Sequence, residues 1–500
     1  MAIYQRHTPE STVLYQTVAR TWPALFMEYA ASDAPIAEHV ETEVERYLRC
    51  GILQHGFMRL RCTSCEKTRV VAYSCKCRGF CASCGARRME QTAYRLEREV
   101  WPVANARQFV LTFPLQVRRW LSSSPDLMSD VILNVTNVIK EFYEGGTLRG
   151  SDADQASMPT NGSITFVQLF GSALNLNPHI HMIFLDGVFA QTPTGKRFYP
   201  YDQFGSDCVI GILVGIYHRL DHLFRRLGYV KDDGEAEENV AQDDVPLPFK
   251  PRAPKAYRRM CRNRDGVPPH PLYQQTDPNL VSVEGWCNVR WKWFSLHAGV
   301  AIKGEDRQGL KRLFRYTSRS SISPSRLSYV DSEEPETSEV ALALKRPWSD
   351  GSTSLCFKQV DFLERVLSII PAPWWNLVRY QGLFAPGHTW RASVVPGPQV
   401  KRHACGANDP PPTGKPSAGR VIAERQIPWA ELLRRTYGVD PEICECGAKM
   451  KVEDVITDGE TIAQVMLEMG LARAPPPRGR KPRLRGELDM VYEYDGDDGV

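Results

Sequence analysis

Seven of the 14 cysteines in this 500-residue chain lie between Cys50 and Cys84, and part of that cluster has the spacing of a metal site. Cys62-x2-Cys65 is followed, after fifteen residues, by Cys81-x2-Cys84. Two such pairs at this distance typically hold one zinc ion through four thiolates. A four-thiolate site keeps no open coordination position. We therefore expect a structural, non-catalytic zinc ion at Cys62, Cys65, Cys81 and Cys84.

Four further residues of this region could act as metal ligands. Cys75, Cys77, Cys50 and His55 either bind a second zinc ion, replace one of the four ligands, or take no part in metal binding. Arginines follow the cluster, Arg87 and Arg88 among them, and a metal-stabilised module with arginines on its rim is typical of DNA binding. The alternative is a solvated basic face on a protein-interaction module.

A second candidate site is the His179-x-His181 pair within an apolar run that predicts a strand over 179–184. Side chains alternate along a strand, so both imidazoles lie on one face, about 6 to 7 Å apart. Two imidazoles so placed can hold one divalent cation. The alternative is a pair of ordinary, half-buried histidines.

A tyrosine lies among arginines on a predicted helix that begins near Asp306 and ends near Arg319. One stripe of this helix is apolar and predicts a core-facing side; it comprises Leu310, Leu313, Phe314 and Thr317. Another stripe carries Arg312, Arg315, Tyr316 and Arg319. Guanidinium groups bind phosphate oxygens in a bidentate manner, so Tyr316 could meet a phosphate there. The alternative is a packed tyrosine on a solvated helix.

The elements that position these residues indicate an α+β fold. Hydrophobic residues make up 42% of the chain and charged residues 24%, which excludes a mainly disordered or fibrous protein. The net charge of +4 does not by itself indicate nucleic acid. No run of about 18 apolar residues predicts a membrane span, and the first residues do not resemble a signal peptide. We expect a cytoplasmic protein without a membrane partner.

Composition shifts divide the chain into five predicted parts. Residues 1–105 form a helical, zinc-binding and DNA-binding domain, and residues 106–395 a domain that contains His179 and Tyr316, with an insertion at about 231–280. A flexible linker at 396–425, rich in proline and glycine, precedes a small C-terminal unit at 426–470. Residues 471–500 form a charged tail that we expect to be disordered.

Several strings resemble the rolling-circle transposases of bacterial insertion-sequence family ninety-one and its common-region relatives. The resemblance covers about residues 15 to 455 in the family's order. Among the strings are Cys75-Lys-Cys-Arg-Gly-Phe-Cys-Ala-Ser-Cys, Asn177-Pro-His-Ile-His, Leu313-Phe-Arg-Tyr and Trp429-Ala-Glu-Leu-Leu-Arg-Arg. The resemblance implies an HUH endonuclease core, an antiparallel sheet flanked by helices, with the zinc-binding module before it.

The resemblance also implies the roles of individual residues. His179 and His181 would hold Mg²⁺ or Mn²⁺, and Tyr316 would be the nucleophile that forms a 5′-phosphotyrosine with single-stranded or melted DNA at the element ends. Because hard cations prefer oxygen ligands, a third ligand is required; Gln168 on the preceding strand is the candidate, and His297 a weaker one. Arg312, Arg315, Arg319, Arg87 and Arg88 would contact DNA. The protein would act in the bacterial cytoplasm, on the nucleoid when bound to DNA.

Two positions depart from the family pattern. Some relatives carry a second tyrosine four residues after the first, where this chain has Ser320, so it resembles a single-tyrosine form. The pair Cys444-x-Cys446 is tighter than the expected C-x2-C, which argues against a second zinc site in the tail.

Two other functions remain open from the sequence. A rolling-circle replication initiator would use the same chemistry. A non-catalytic, zinc-dependent DNA-binding regulator would bind no metal at His179 and His181 and form no covalent adduct with DNA. The oligomeric state is not predicted.

Overall fold

The computed structural model describes residues 2–3, 7–148, 156–230, 281–348, 350–397 and 427–471. The predicted insertion at 231–280 lies outside the described residues. So do the predicted linker and tail, apart from residues 396, 397 and 471. The described part is a mixture of helices and antiparallel sheets, as the sequence predicts.

The helices and strands are numbered here in chain order. The helices are α1 Val13–Ala30, α2 Glu38–Leu48, α3 Ala82–Arg95, α4 Leu115–Ser123, α5 Pro125–Gly146, α6 Ser206–Arg226, α7 Arg307–Thr317, α8 Gln359–Ser368, α9 Arg391–Val394, α10 Trp429–Tyr437 and α11 Gly459–Glu468. The strands are β1 Ala2–Ile3, β2 Phe57–Cys62, β3 Thr68–Ala72, β4 Ala106–Thr112, β5 Ser157–Thr160, β6 Gly162–Phe170, β7 Leu176–Leu185, β8 Gly187–Thr192, β9 Gly195–Pro200, β10 Ser282–Gly285, β11 Asn288–Trp291, β12 Phe294–Ile302, β13 Leu327–Tyr329, β14 Val340–Ala343, β15 Ser354–Phe357, β16 Val378–Gly382, β17 Val439–Asp440 and β18 Met450–Ile456.

A seven-stranded antiparallel sheet forms the centre of the molecule, in the order β10-β11-β12-β4-β7-β6-β16. The preceding strand, which carries Gln168, is the neighbour of the histidine strand, because β6 pairs with β7. In that pairing Gln168 lies opposite His179 and Phe166 opposite His181. Directly opposed residues point to the same face, so Gln168 and both histidines share one face of the sheet.

Each face of this sheet is covered by helices. The largest apolar core includes buried residues of α4, α5 and α6 together with Ile180 of β7. The opposite face is covered by α7 and by the π-helical turn Leu96–Val100 that continues α3. The predicted apolar stripe of α7 is confirmed, since all four of its residues are buried. The polar stripe with Tyr316 is therefore directed away from this core.

A buried ion pair fixes the turn that follows β7. The Arg107 guanidinium donates hydrogen bonds to both carboxylate oxygens of Asp186 at 2.8 Å, and the Tyr143 hydroxyl donates to one of them. Asp186, which lies between β7 and β8, therefore has a structural role.

The N-terminal region and the C-terminal unit share a three-stranded sheet of order β18-β2-β3. Strand β18 is antiparallel to β2, and β17 is parallel to β1. The small C-terminal unit, which the sequence analysis places after the linker, is thus joined to the zinc-binding region by strand pairing. Two further three-stranded sheets, β5-β8-β9 and β13-β14-β15, complete the described structure. None of the described helices is both long and apolar enough to span a membrane.

Candidate active site and metal centres

His179 and His181 project from β7 onto the face of the sheet that carries α7. Their ring centroids are 5.0 Å apart, and both side chains are buried. The geometry expected of an H-x-H strand is therefore present. Burial lowers the pKa of His179, and burial together with the neighbouring His179 and Arg319 lowers the pKa of His181 to about 3. Both imidazoles are neutral at pH 7, the form that binds a metal ion.

Hydrogen bonds orient the two imidazoles. His179 Nδ1–H donates to the carbonyl of Asn177 at 2.8 Å, which leaves the lone pair on Nε2. His181 Nδ1 is 2.9 Å from the side-chain amide of Gln108. In the structure the amide nitrogen donates to Nδ1; with the amide rotated by 180°, its oxygen instead accepts from Nδ1–H and the Nε2 lone pair is free. Nε2 of His181 is buried and has no hydrogen-bond partner among the described residues.

The donors around the histidines fit a divalent cation. Gln168 Nε2 donates to the carbonyl of Thr317 at 2.7 Å, which fixes the side chain to the end of α7. Gln168 Oε1 and Asn177 Oδ1 are buried without a partner in the described part of the chain. Two imidazole nitrogens and one or two amide oxygens make a donor set for Mg²⁺ or Mn²⁺. His297 lies two strands away from His181, about 10 Å by strand spacing, and is the less suitable ligand.

Tyr316 lies beside His181. Its ring centroid is 5.7 Å from that of His181, with the rings perpendicular, and 48% of the residue is exposed to solvent. The sheet and α7 thus bring together a tyrosine ring and an imidazole that are 135 positions apart in the chain.

Three cationic side chains lie together near this site. The Arg319 guanidinium stacks on the Tyr316 ring, 4.8 Å from its centroid. Burial, and then the charge of Arg319, lowers the pKa of both Arg326 and Lys345. No ion pair involves any of the three within the described residues, and Arg326 donates to the carbonyls of Ala343 and Ser172. Sequence reasoning identified Arg319 but missed Arg326 and Lys345, which lie outside α7 and show no pattern along the chain.

The other predicted DNA-contacting arginines differ from Arg319. Arg312 is highly exposed and 3.9 Å from Asp306, so it remains available. Arg315 instead pairs with the buried Glu90 of α3 at 3.3 Å, and Lys311 pairs with the same carboxylate at 2.7 Å. Arg315 therefore joins the zinc-binding region to α7.

Arg87 and Arg88 also form hydrogen bonds within the protein. Arg87 donates to Cys84 Sγ at 3.5 Å, and its charge balances a cysteine cluster. Arg88 donates to the carbonyls of Cys77 and Lys76, which fixes the loop that carries the cluster. Both guanidiniums thus have partners within the protein, and their assignment as DNA-contacting residues stays a prediction.

The predicted grouping of the cysteines is wrong. One group consists of Cys50, Cys75, Cys81 and Cys84, with all ligand atoms within 4.8 Å of one another. The other consists of Cys62, Cys65, Cys444 and Cys446, whose ligand atoms also lie within 4.8 Å of one another. The pair at 62 and 65 therefore does not share a site with the pair at 81 and 84. Cys50 and Cys75, left open by the sequence, belong to the first group.

The first group is buried between α2 and the start of α3. Cys84 Sγ lies 3.5 Å from that of Cys75 and 3.8 Å from that of Cys50. Cys77 is outside the group, since its thiol faces the carbonyls of Glu43 and Cys75. His55 belongs to neither group of the described residues. A tetrahedral zinc ion with bonds of about 2.3 Å accommodates four sulfurs at these separations.

Exposed tryptophans flank the histidine site at one end of the central sheet. Trp293, in the turn between β11 and β12, and Trp374, before β16, are 50% and 91% exposed. The pairing of β12, β4, β7 and β6 places these segments on opposite sides of His179. The adjacent Trp375 is buried.

Two family models match the chain. The model described as "Transposase zinc-binding domain" matches residues 20–113, and the model described as "Putative transposase" matches residues 162–392. The first contains the cysteine-rich region, and the second contains both histidines, Gln168 and Tyr316. The two matches indicate a zinc-binding, DNA-cleaving enzyme. The chain belongs to the transposases of insertion-sequence family ninety-one. Neither a curated protein nor a solved structure matches it.

Proposed function

We propose that the protein nicks and rejoins single-stranded DNA at the ends of an insertion sequence through a 5′-phosphotyrosine on Tyr316. The observation that supports this is the exposed Tyr316 ring 5.7 Å from the buried His181 imidazole. In this reaction the Tyr316 oxygen forms a bond to the scissile phosphorus, and the bond from phosphorus to the 3′ oxygen breaks. The proton lost by the phenol is balanced by the one gained at the 3′ oxygen. One ester replaces another, so the energy of the bond is kept for rejoining.

His179, His181 and Gln168 are the proposed ligands of Mg²⁺ or Mn²⁺, with Asn177 as an additional oxygen donor. When bound, the cation polarises a non-bridging oxygen of the scissile phosphate. The chain's own residues prepare this position: Asn177 and Gln108 orient the imidazoles, and Thr317 holds Gln168 against the end of α7. Arg319 lies over the tyrosine ring, where it can bind a phosphate oxygen of the incoming DNA strand.

The proposed substrate is single-stranded or melted DNA. Trp293 and Trp374 on either side of His179 offer stacking surfaces for unpaired bases, and Arg319, Arg326 and Lys345 offer cations for the backbone. We further propose rolling-circle transposition as the process this chemistry serves. The family membership favours it over replication initiation, which uses the same bond changes.

The test is covalent capture of DNA. The full chain is incubated with Mn²⁺ and 5′- and 3′-labelled single-stranded oligonucleotides that carry element ends, and the products are separated on a denaturing gel. We expect a denaturation-resistant protein–DNA species that retains the label on the 3′ side of the nick. Tyr316→Phe removes it, whereas Tyr217→Phe, on the opposite face of the sheet, keeps it. An adduct that persists in Tyr316→Phe overturns the assignment, and the absence of any adduct in the wild type favours the non-catalytic regulator.

A further inference from the structure

The second cysteine group joins two regions that are far apart in the sequence. Cys62 Sγ lies 3.5 Å from Cys446 Sγ, and Cys65 Sγ lies 3.5 Å from Cys444 Sγ. These separations are too long for disulfide bonds of about 2.05 Å. They are close to the roughly 3.8 Å between sulfurs that surround a tetrahedral zinc ion at 2.3 Å. We propose that these four cysteines hold a second structural zinc ion, which attaches residues 427–471 to the N-terminal zinc-binding region.

Backbone geometry at both cysteine pairs supports thiolate ligands. The amides of Ser64 and Cys65 point at Cys62 Sγ, at 3.4 and 3.5 Å, and amide donors stabilise a negatively charged sulfur. On the other pair, Gly447 closes a tight turn by donating to the Cys444 carbonyl at 2.9 Å. Its φ of +84° is readily adopted by glycine. Each pair therefore forms a turn that directs two sulfurs to one point.

Strand pairing places the two turns side by side. Met450 of β18 lies opposite Cys62 of β2, and the amide of Thr63 donates to the carbonyl of Lys449. Lys67 and Glu445, one from each turn, form an ion pair at 2.8 Å. A one-residue C-x-C spacing is therefore sufficient here, because the facing turn supplies the other two ligands. The sequence expectation of no second zinc site is replaced by this assignment.

The apolar contact beneath the site is small. Its buried residues are Leu60, Cys62, Val71, Cys444 and Met450. A second apolar cluster also joins the two regions; its buried residues are Leu53, Phe57, Val70, Ile456, Ile462, Val465 and Met466. We infer that zinc fixes the end of the junction that carries the two cysteine turns, and that strand pairing and the second cluster hold the rest.

Zinc content and thiol reactivity test the site in the full chain. We expect two zinc ions per wild-type chain, one in Cys444→Ser/Cys446→Ser, and two in the control Cys356→Ser, which alters an exposed cysteine outside both groups. In the wild type, Cys356 should react with an alkylating agent at once, whereas the exposed Cys65 and Cys446 should react only after a strong chelator is added. This second measurement needs no variant to fold.

A cut chain tests the attachment. A protease site is inserted within 398–426 of the full chain and cleaved under native conditions. The C-terminal fragment should stay with the rest in zinc, and should dissociate at a lower denaturant concentration after chelation or in the double serine variant. One zinc ion per wild-type chain, or immediate alkylation of Cys65 and Cys446, contradicts the proposal. None of these readouts depends on DNA cleavage, so the proposal stands or fails separately from the proposed function.

Discussion

Arg312 lies on the polar stripe of α7, whereas Arg319 lies two residues beyond the end of that helix and stacks on the tyrosine ring. Arg312 is 73% exposed at its side chain. Charge-assisted hydrogen bonds contribute about 1.5 to 3 kcal/mol. We expect Arg319→Ala to slow single-turnover cleavage by about 10- to 100-fold, and Arg312→Ala by less than about 3-fold. Rates of adduct formation at saturating oligonucleotide measure this, and equal effects of the two changes would argue against a phosphate contact at Arg319.

Gln108 is a residue whose role is visible only in the structure, through its contact with His181 Nδ1. Replacement by Leu removes the hydrogen bond that orients the imidazole. Partners of this kind typically alter metal affinity by about 10- to 100-fold. We expect Gln108→Leu to shift the Mn²⁺ dependence of cleavage to higher concentration by about that factor, with partial rescue by Gln108→Glu. A cleavage curve that keeps its midpoint but loses amplitude would indicate a general structural defect instead.

At the scale of elements, α3 and α7 are joined by the buried Glu90 carboxylate and its two cations. Glu90→Gln leaves Lys311 and Arg315 without their counter-charge. Because both cations are partly exposed and can be hydrated, we expect a loss of about 1 to 3 kcal/mol in the free energy of unfolding, less than for a fully buried pair. Denaturant unfolding measures it. Glu141→Gln, in the exposed pair with Arg219, is the matched control and should cost less than about 1 kcal/mol.

The loop before α3 contains Cys81, which belongs to the first cysteine group, and Cys77, which does not. The two residues therefore form a matched pair for a test. Cys81→Ser should remove one zinc ion per chain and unfold the N-terminal region, since structural zinc contributes directly to folding. Cys77→Ser should retain the metal, because a hydroxyl can replace the thiol that faces the Glu43 carbonyl. Zinc content and circular dichroism report the difference. Retention of both zinc and fold in Cys81→Ser would falsify the ligand assignment.

At the scale of the whole molecule, the exposed Trp293 and Trp374 lie along the end of the central sheet, where we propose that single-stranded DNA binds. Base stacking contributes about 1 to 3 kcal/mol per base. We expect Trp374→Ala to weaken binding of a single-stranded oligonucleotide by about 5- to 100-fold, with little change in the free energy of unfolding, because the side chain is 91% exposed. Trp286→Ala, at the other end of β11, is the control. Fluorescence anisotropy with single- and double-stranded probes measures both, and equal losses on the two probes would argue against stacking.

Local spacing alone determined much of the candidate active site. The two-residue period of a strand places His179 and His181 on one face, and the 3.6-residue period of a helix separates Tyr316 from the apolar stripe of α7. The neighbouring strands β6 and β7 are joined by a short connection, so their pairing was also predictable. The roles of these residues came from the family resemblance, because the spacing of an H-x-H pair is shared by many proteins.

Only the tertiary structure decided which cysteines lie together. The C-x2-C spacing at 62–65 and 81–84 is compatible with one shared site or with two, and nothing local distinguishes them. The pairing of β18 with β2 brings Cys446 to Cys62 across 384 positions of the chain, and Cys50 reaches Cys84 from the end of α2. In the same way, the packing of α3 on α7 pairs Arg315 with Glu90. The helical pattern of the sequence shows only that Arg315 lies on the polar side of α7. Long-range pairing depends on which surfaces can be buried together, and this information is distributed over the whole chain rather than held in any one motif.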